Sequence, residues 1–371
     1  MYYILLFITL ISMQWILCLY FIDVRIKKMI IKDSQSCESI KSSGKKKYCF
    51  LICLEMILFA GFRATYIGAD TSVYLDALDY YKSLPWGDIL QAPLVYPFDF
   101  EAGYFLLTKI CACLQVSKTA FLLVVATLIY IPLFTFLNKN SKNPLLSVLA
   151  YIAFGFFSYS IGLFRQMIAM SICLCGVPFI KQKRLVKYCL CCVLACLFHS
   201  TALIMIPFYW ISRLDLKRNR ILYLVSVLLI EVFCIIFGRK IVDFFLYLVP
   251  KYSGYIGSKY DVQGGTYLNI IYLNVLLILG LFVVEPKEQE GSICVQAIMV
   301  AGILQSCSYA LGVMGRIVCY YSVYSIILLP LIANHIIKEK NIAQIGLYVL
   351  LFAFTLYVVN NDSVLLNFRF L

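Results

Sequence analysis

Apolar runs follow one another along nearly all of this 371-residue chain, separated by short polar joints. Runs of about 20 apolar residues cross a bilayer as helices, because every backbone N–H and C=O is then satisfied inside the segment. Hydrophobic residues make up 63% of the chain and charged residues 14%, which leaves too little polar surface for a soluble protein of this length. The pattern predicts an all-α, polytopic integral membrane protein of roughly 10–13 hydrophobic segments. The short joints predict a single membrane domain over residues 1–371. Residues 1–22 lack a basic leader and a small-residue cleavage site, so they are expected to stay as the first span.

The joints carry the orientation. Residues 23–47 hold eight basic and three acidic side chains, whereas residues 63–101 hold two basic and six acidic ones. Lysine and arginine favour the cytoplasmic side, so the first joint is expected inside and the second outside. The same rule explains the net charge of +13 without nucleic acid. It also asks that Lys139 with Lys142, Lys181 to Lys187, Arg213 to Arg220, and Lys338 with Lys340 all face the cytoplasm. Counting every apolar run as a span breaks that alternation. It is restored if Tyr104 to Val116 is a partial or re-entrant helix, and if Tyr188 to Ile211 either runs through once or turns as a short hairpin at His199. Irregular backbone at membrane depth is tolerated where it lines protein or water, so these segments predict an outward-facing cavity. Arg63, Asp70, Glu101, Arg165, His199 and Arg316 would then gather toward the external side.

Most of the 16 cysteines sit within apolar runs, where they read as small packing residues. With only two histidines, His199 and His335, no metal site and no cofactor are expected. Asp99-Phe100-Glu101 is an acid pair of the kind that metal-using lipid-linked glycosyltransferases carry in a first external loop, and chelation would separate that reading. No phosphate-cradling glycine loop occurs in the cytoplasmic joints, and no internal repeat points to a secondary transporter. Tyrosines and glycines crowd residues 238–267, a second external loop that suits either an interfacial helix or contact with carbohydrate.

Arg165 opens an apolar helix beginning at Gln166, and Arg316 stands beside Gly315 ahead of another. A guanidinium next to unpaired helix-start amides is an anion site, and two of them could clamp a diphosphate. Each could equally snorkel or pair with an acid such as Glu101 or Asp70. His199 is able to exchange a proton near neutral pH, or to be a helix-end histidine satisfied by backbone. Ser200, its neighbour in sequence, is not positioned to form a Ser–His nucleophile with it.

Several segments together resemble one family. Phe62-Arg63, Gly68, Asp70-Thr71, Tyr74 and Glu101-Ala102-Gly103-Tyr104 are followed by Arg165-Gln166 with Ala169. Then come Ala195-Cys196-Leu197-Phe198-His199-Ser200-Thr201-Ala202-Leu203 and Gly315-Arg316 with Tyr320 and Pro330. In that order they resemble the EpsG family of bacterial exopolysaccharide proteins. Ala102 stands where the family usually has proline.

The resemblance implies a Wzy-like polymerase in the bacterial plasma membrane, similar in architecture to other membrane glycosyltransferases that use lipid-linked sugars. It would join repeat units carried on undecaprenyl diphosphate at the outer face, without a nucleotide sugar or a bound metal. Its partners would be the lipid-linked oligosaccharide, membrane lipid, and a chain-length regulator and flippase. In this reading His199 or Glu101 acts as base, and Arg165 stabilises the departing charge. Arg63, Asp70, Tyr74, Tyr104, Gln166, Arg316 and Tyr320 would bind diphosphate or sugar. The alternatives are a flippase or transporter of the same lipid-linked sugar, and a transferase that modifies the polysaccharide.

Overall fold

The computed structural model describes residues 13–14, 34–85, 98–216, 219–248, 254, 267–285, 288–308, 310, 312–336 and 342–370. The expected first span, much of the basic 23–47 joint, Asp88, most of the 238–267 loop, and Lys338 with Lys340 lie outside these residues.

The described elements are helices, and the protein is an all-α polytopic membrane protein. Lys118–Asn140, Phe164–Lys181, Arg220–Leu248 and Gln289–Ser308 are each long and apolar enough to cross a bilayer. Two further spans are possible by length if each bent pair counts as one: Pro144–Ala153 with Phe156–Gly162, bent by 64°, and Gly315–Ser322 with Ser325–Ile336, bent by 45°. Ala102–Cys113 and Leu185–Cys196 are apolar but only 12 residues each, about 18 Å at 1.5 Å per residue, and so too short to cross. The run from Tyr188 to Ile211 is not one continuous helix. It breaks after Cys196 and resumes as the 3₁₀ turn Ser200–Met205.

Contacts divide the chain into two compact units. The first holds the described residues of Met1–Phe179, Val186–Leu203 and Asn341–Leu371. Its helices start where the sequence supplies caps. Ser117 accepts from the Ala120 amide at the head of Lys118–Asn140, and Asn143 does the same for Leu146, with Pro144 in the first turn. Gly155, at φ 80°, breaks Pro144–Ala153 from Phe156–Gly162, and Leu163 separates the latter from Phe164–Cys175. Ser34–Gly61 packs along Lys118–Asn140, which packs in turn on Phe164–Cys175. Buried hydroxyls tie these helices together: Ser171 donates to the Ile129 carbonyl at 2.9 Å, and Tyr130 meets Ser160 at 2.5 Å. Thr71–Lys82 lies on Ala102–Cys113, and the buried Lys109 ammonium donates to the carbonyls of Tyr81 and Leu84 at the end of the former. A cation placed on the last carbonyls of a helix meets their partial negative charge.

The second unit holds the described residues of Ile180–Leu185 and Ile204–Lys340. Arg220–Leu248 and Tyr267–Val283 both pack on Gln289–Ser308, with Gly315–Ser322 and Ser325–Ile336 against the same helix. Lys181 meets Glu290 at 3.0 Å, and Gln296 donates to the Leu214 carbonyl at 2.8 Å.

Candidate functional site

The site is built where two short helices end against each other in the first unit. Leu185–Cys196 runs out at Leu197, whose carbonyl accepts instead from the amides of Gly103 at 2.8 Å and Tyr104 at 3.3 Å, in the first turn of Ala102–Cys113. Unpaired acceptors at one helix end thus satisfy unpaired donors at another. The approach requires glycine: a Cβ on Gly103 would lie 2.8 Å from the Leu197 oxygen and 2.9 Å from the Leu197 Cβ. Glu101, two residues before Gly103, is thereby set beside His199 and Ser200, two and three residues past Leu197.

Glu101 makes no side-chain cap to its own helix. Its Oε1 lies 3.1 Å from His199 Nδ1 and accepts from the Ser200 amide at 3.0 Å and the Ser200 hydroxyl at 3.3 Å. Its Oε2 accepts from Arg165 at 2.6 Å. Arg165 comes from the first turn of Phe164–Cys175, and the same guanidinium nitrogen donates to the Asp99 carbonyl at 3.3 Å. One carboxylate therefore ties its own segment to two others, 64 and 98 residues away in sequence. Burial pushes the Glu101 carboxyl up, but the His199 hydrogen bond, the Arg165 charge and the Ser200 amide outweigh it and hold the group at about 2. Since a carboxylate only accepts, the hydrogen on neutral His199 belongs on Nδ1, which leaves Nε2 with a lone pair. Glu101, Arg165 and His199 each keep about a fifth of their side-chain surface open, 16%, 23% and 23%.

Beneath the ion pair lies an aromatic floor. Phe100 faces the Arg165 guanidinium at 4.9 Å, Tyr74 stacks on Phe164 at 4.7 Å, and Tyr74 and Tyr104 approach to 5.3 Å. Tyr74 and Tyr104, expected to bind sugar, are both buried, as is Gln166. The Tyr74 hydroxyl also faces Arg165. Buried rings can shape the site and position Arg165, but they do not offer an open sugar platform.

Arg63 departs from the diphosphate role expected of it. It is 1% exposed and donates to the carbonyls of Ala60, Ile67 at 3.3 Å and Ile161 at 2.7 Å, with its charge 5.3 Å from the Phe164 ring. Its donors are spent on backbone, so it braces the 60–67 loop against the end of Phe156–Gly162. Its partners among the described residues are these carbonyls, not Asp70. Gly68 permits the crossing with φ 111°, and Thr71 adds a 3.2 Å bond to the same Ile161 carbonyl. Asp70 is half-buried just ahead of Thr71–Lys82 and does not cap it through its side chain. Arg316 and Tyr320 belong to the second unit, where Arg316 is half-buried and Tyr320 is buried.

One contributor to the site, and one buried charge that braces its helix, escape a reading of the sequence. The Ser200 amide acts through its backbone, which no side-chain pattern reveals. Lys109 is a lone charge in an apolar helix, and that was its available signal. The Asp99 and Glu101 acid pair does not converge: Asp99 enters through its carbonyl, and both Glu101 oxygens are engaged. Among the described residues no three His, Cys, Asp or Glu side chains gather as metal ligands would. Residues 46–371 match the EpsG family. No curated protein and no solved structure shows a match.

Proposed function

Because the chain belongs to the EpsG family, a family of Wzy-like polysaccharide polymerases, we propose that it extends a bacterial surface polysaccharide from lipid-diphosphate-linked repeat units at the outer face of the plasma membrane. The reaction is a glycosyl transfer. The bond from the anomeric carbon to the diphosphate oxygen breaks, a bond from that carbon to a hydroxyl oxygen of a second lipid-linked unit forms, and the hydroxyl proton leaves.

The single observation that carries this reading is the Arg165–Glu101–His199 array, an ionised carboxylate bridging a cation and a histidine. His199 Nε2 takes the acceptor proton, and Glu101 fixes the ring and steadies the positive charge that forms. A carboxylate held near 2 is a poor base at neutral pH, so Glu101 orients rather than abstracts. Arg165 spends one nitrogen on Glu101 and Asp99, while its buried Nε has no partner among the described residues. The 23% of its side chain left exposed is where it meets the departing diphosphate, whose charge it stabilises. No metal takes part in this scheme, and the joints rich in acid lie outside while the basic ones lie inside.

The test is the length profile of lipid-linked glycans in cells lacking the protein and complemented with wild type, His199→Ala, Glu101→Gln or Arg165→Ala. Single repeat units exposed outside, with each variant present in the membrane yet unable to restore long chains, are expected. Repeat units held at the cytoplasmic face would make the protein a flippase, and long chains lacking a decoration would make it a modifying transferase. Activity lost on chelation would return Asp99 and Glu101 to consideration as metal ligands.

A further inference from the structure

Arg220–Leu248 carries one charge in the middle of its apolar length. Glu231 is the only charged residue between Ile221 and Phe237, about 16 Å along the axis from Arg220 and about 12 Å from Arg239. It is 4% exposed. An ionisable group at this depth needs a partner, and the one present is an amide.

Three helices of the second unit meet at it. Asn274, from Tyr267–Val283, donates through Nδ2 to Glu231 Oε2 at 2.8 Å and to the Ile270 carbonyl at 3.1 Å. Gly302, from Gln289–Ser308, lies under the other oxygen: a Cβ there would come within 2.3 Å of Glu231 Oε1. Oε1 and Asn274 Oδ1 are both buried, and neither has a hydrogen-bond partner among the described residues.

Counting hydrogens shows what is missing. Asn274 has two amide hydrogens, and both are used. Two buried acceptors, one on each residue, are left without a donor. Turning the Asn274 amide over does not repair this, because its oxygen would then face the Oε2 and Ile270 acceptors while its nitrogen lost both of them. In either orientation the pair is short by one hydrogen. A metal ion is a poor candidate for the gap, since calcium or magnesium asks for about six or more oxygens and the pair leaves two.

We propose that Glu231 and Asn274 form a proton-binding site inside the membrane, with Glu231 carrying a proton on Oε1 that it donates to Asn274 Oδ1. The acid and the amide then exchange two hydrogen bonds, and Gly302 supplies the room for the protonated oxygen. No charged side chain is paired with Glu231 among the described residues of the helices packed there. The titratable groups nearest the pair along these helices are Tyr272, two residues before Asn274, and the Cys234 and Cys307 thiols, one turn or so away, which face each other. The site shares no residue with the Arg165–Glu101–His199 array and does not depend on the polymerase reading.

Infrared spectroscopy of the full chain in lipid nanodiscs at pH 7 tests it directly. The carbonyl stretch of an un-ionised carboxylic acid is expected in wild type, lost in Glu231→Gln, and retained at a shifted frequency in Asn274→Leu, which removes the acceptor. A wild-type spectrum with no such band that Glu231→Gln removes overturns the proposal. So does a thermal midpoint that rises with sodium in wild type and not in Glu231→Gln, because the occupant would then be a cation. Should Glu231→Gln fail to fold, the band and its shift in Asn274→Leu decide the matter alone.

Discussion

Glu101 and Glu231 are both withdrawn from water, and their surroundings are opposite. Glu101 receives a guanidinium, a histidine, a backbone amide and a hydroxyl, and is held ionised. Glu231 receives one amide hydrogen and leaves two acceptors unserved. A buried carboxylate that gathers donors from several segments is organised around a charge, whereas one that meets a single amide is organised around a neutral acid. The first can direct a reaction in which charge develops. The second can only hold helices together or take up a proton.

The sharpest way to break that contrast is to remove each charge while keeping the shape. Glu101→Gln keeps a side chain able to reach His199 and Ser200 but loses the ion pair with Arg165 and the fixed hydrogen on His199 Nδ1. Long-chain polymer should fall by roughly 10²–10⁴-fold, the usual worth of a positioned acid–base group. Glu231→Gln should leave polymer length unchanged, since glutamine supplies the missing hydrogen. Both outcomes are read from the same glycan ladder at matched protein level, and a wild-type ladder from Glu101→Gln would show that its charge is dispensable.

Arg63 extends the comparison to a buried cation whose hydrogen bonds go to carbonyls and whose charge lies over the Phe164 ring. Arg63→Ala should cost stability by about 3 kcal/mol, because the Ala60, Ile67 and Ile161 carbonyls lose a charged donor together. It should appear as a lower thermal midpoint of the purified protein. Arg165→Ala, by contrast, should abolish polymer while the midpoint moves less.

These assignments show how much the sequence discloses. Apolar run lengths and basic joints disclose the helical membrane class, and the short runs around Tyr104 and His199 disclose where helices stop inside it, because those signals are local. The Phe198-His199-Ser200 block and Glu101 are visible as polar residues that have no cheap place among apolar ones. The direction each side chain takes is not local. Arg63 and Arg165 look alike in sequence, yet one is spent on backbone and the other faces a carboxylate, and only the crossing at Gly68 and Ile161 decides it. Glu231, Asn274 and Gly302 lie on three different helices, so their convergence has no signature along the chain.

The two glycines give a smaller effect with a clear ordering. Gly103→Ala meets the Leu197 backbone oxygen and Cβ, neither of which can move without shifting a helix end. It should cost about 1–3 kcal/mol and shorten the polymer as well, since Glu101 moves with the helix. Gly302→Ala meets the tip of the Glu231 side chain, which can swing aside at the loss of one hydrogen bond, about 1 kcal/mol. Thermal midpoints of the two variants check the order, and a costlier Gly302→Ala would mean that the Glu231 carboxyl is more rigidly held than Glu101.

The smallest effect comes from acid. Glu101 sits near 2 when folded against 4.5 when unperturbed, so its ion pair stabilises the fold fully above about pH 4.5 and loses that contribution as pH falls toward 2. The stability difference between wild type and Glu101→Gln should therefore be level from pH 7 to pH 5. Between pH 5 and pH 4 it should shrink by less than about 1 kcal/mol, because the unfolded chain begins to bind the proton that the folded site still refuses. Thermal midpoints of both proteins across that range measure it. A difference that stays level between pH 5 and pH 4 as well would place the Glu101 carboxyl close to its ordinary value. Arg165 and His199 would then do no more than offset the cost of burying it.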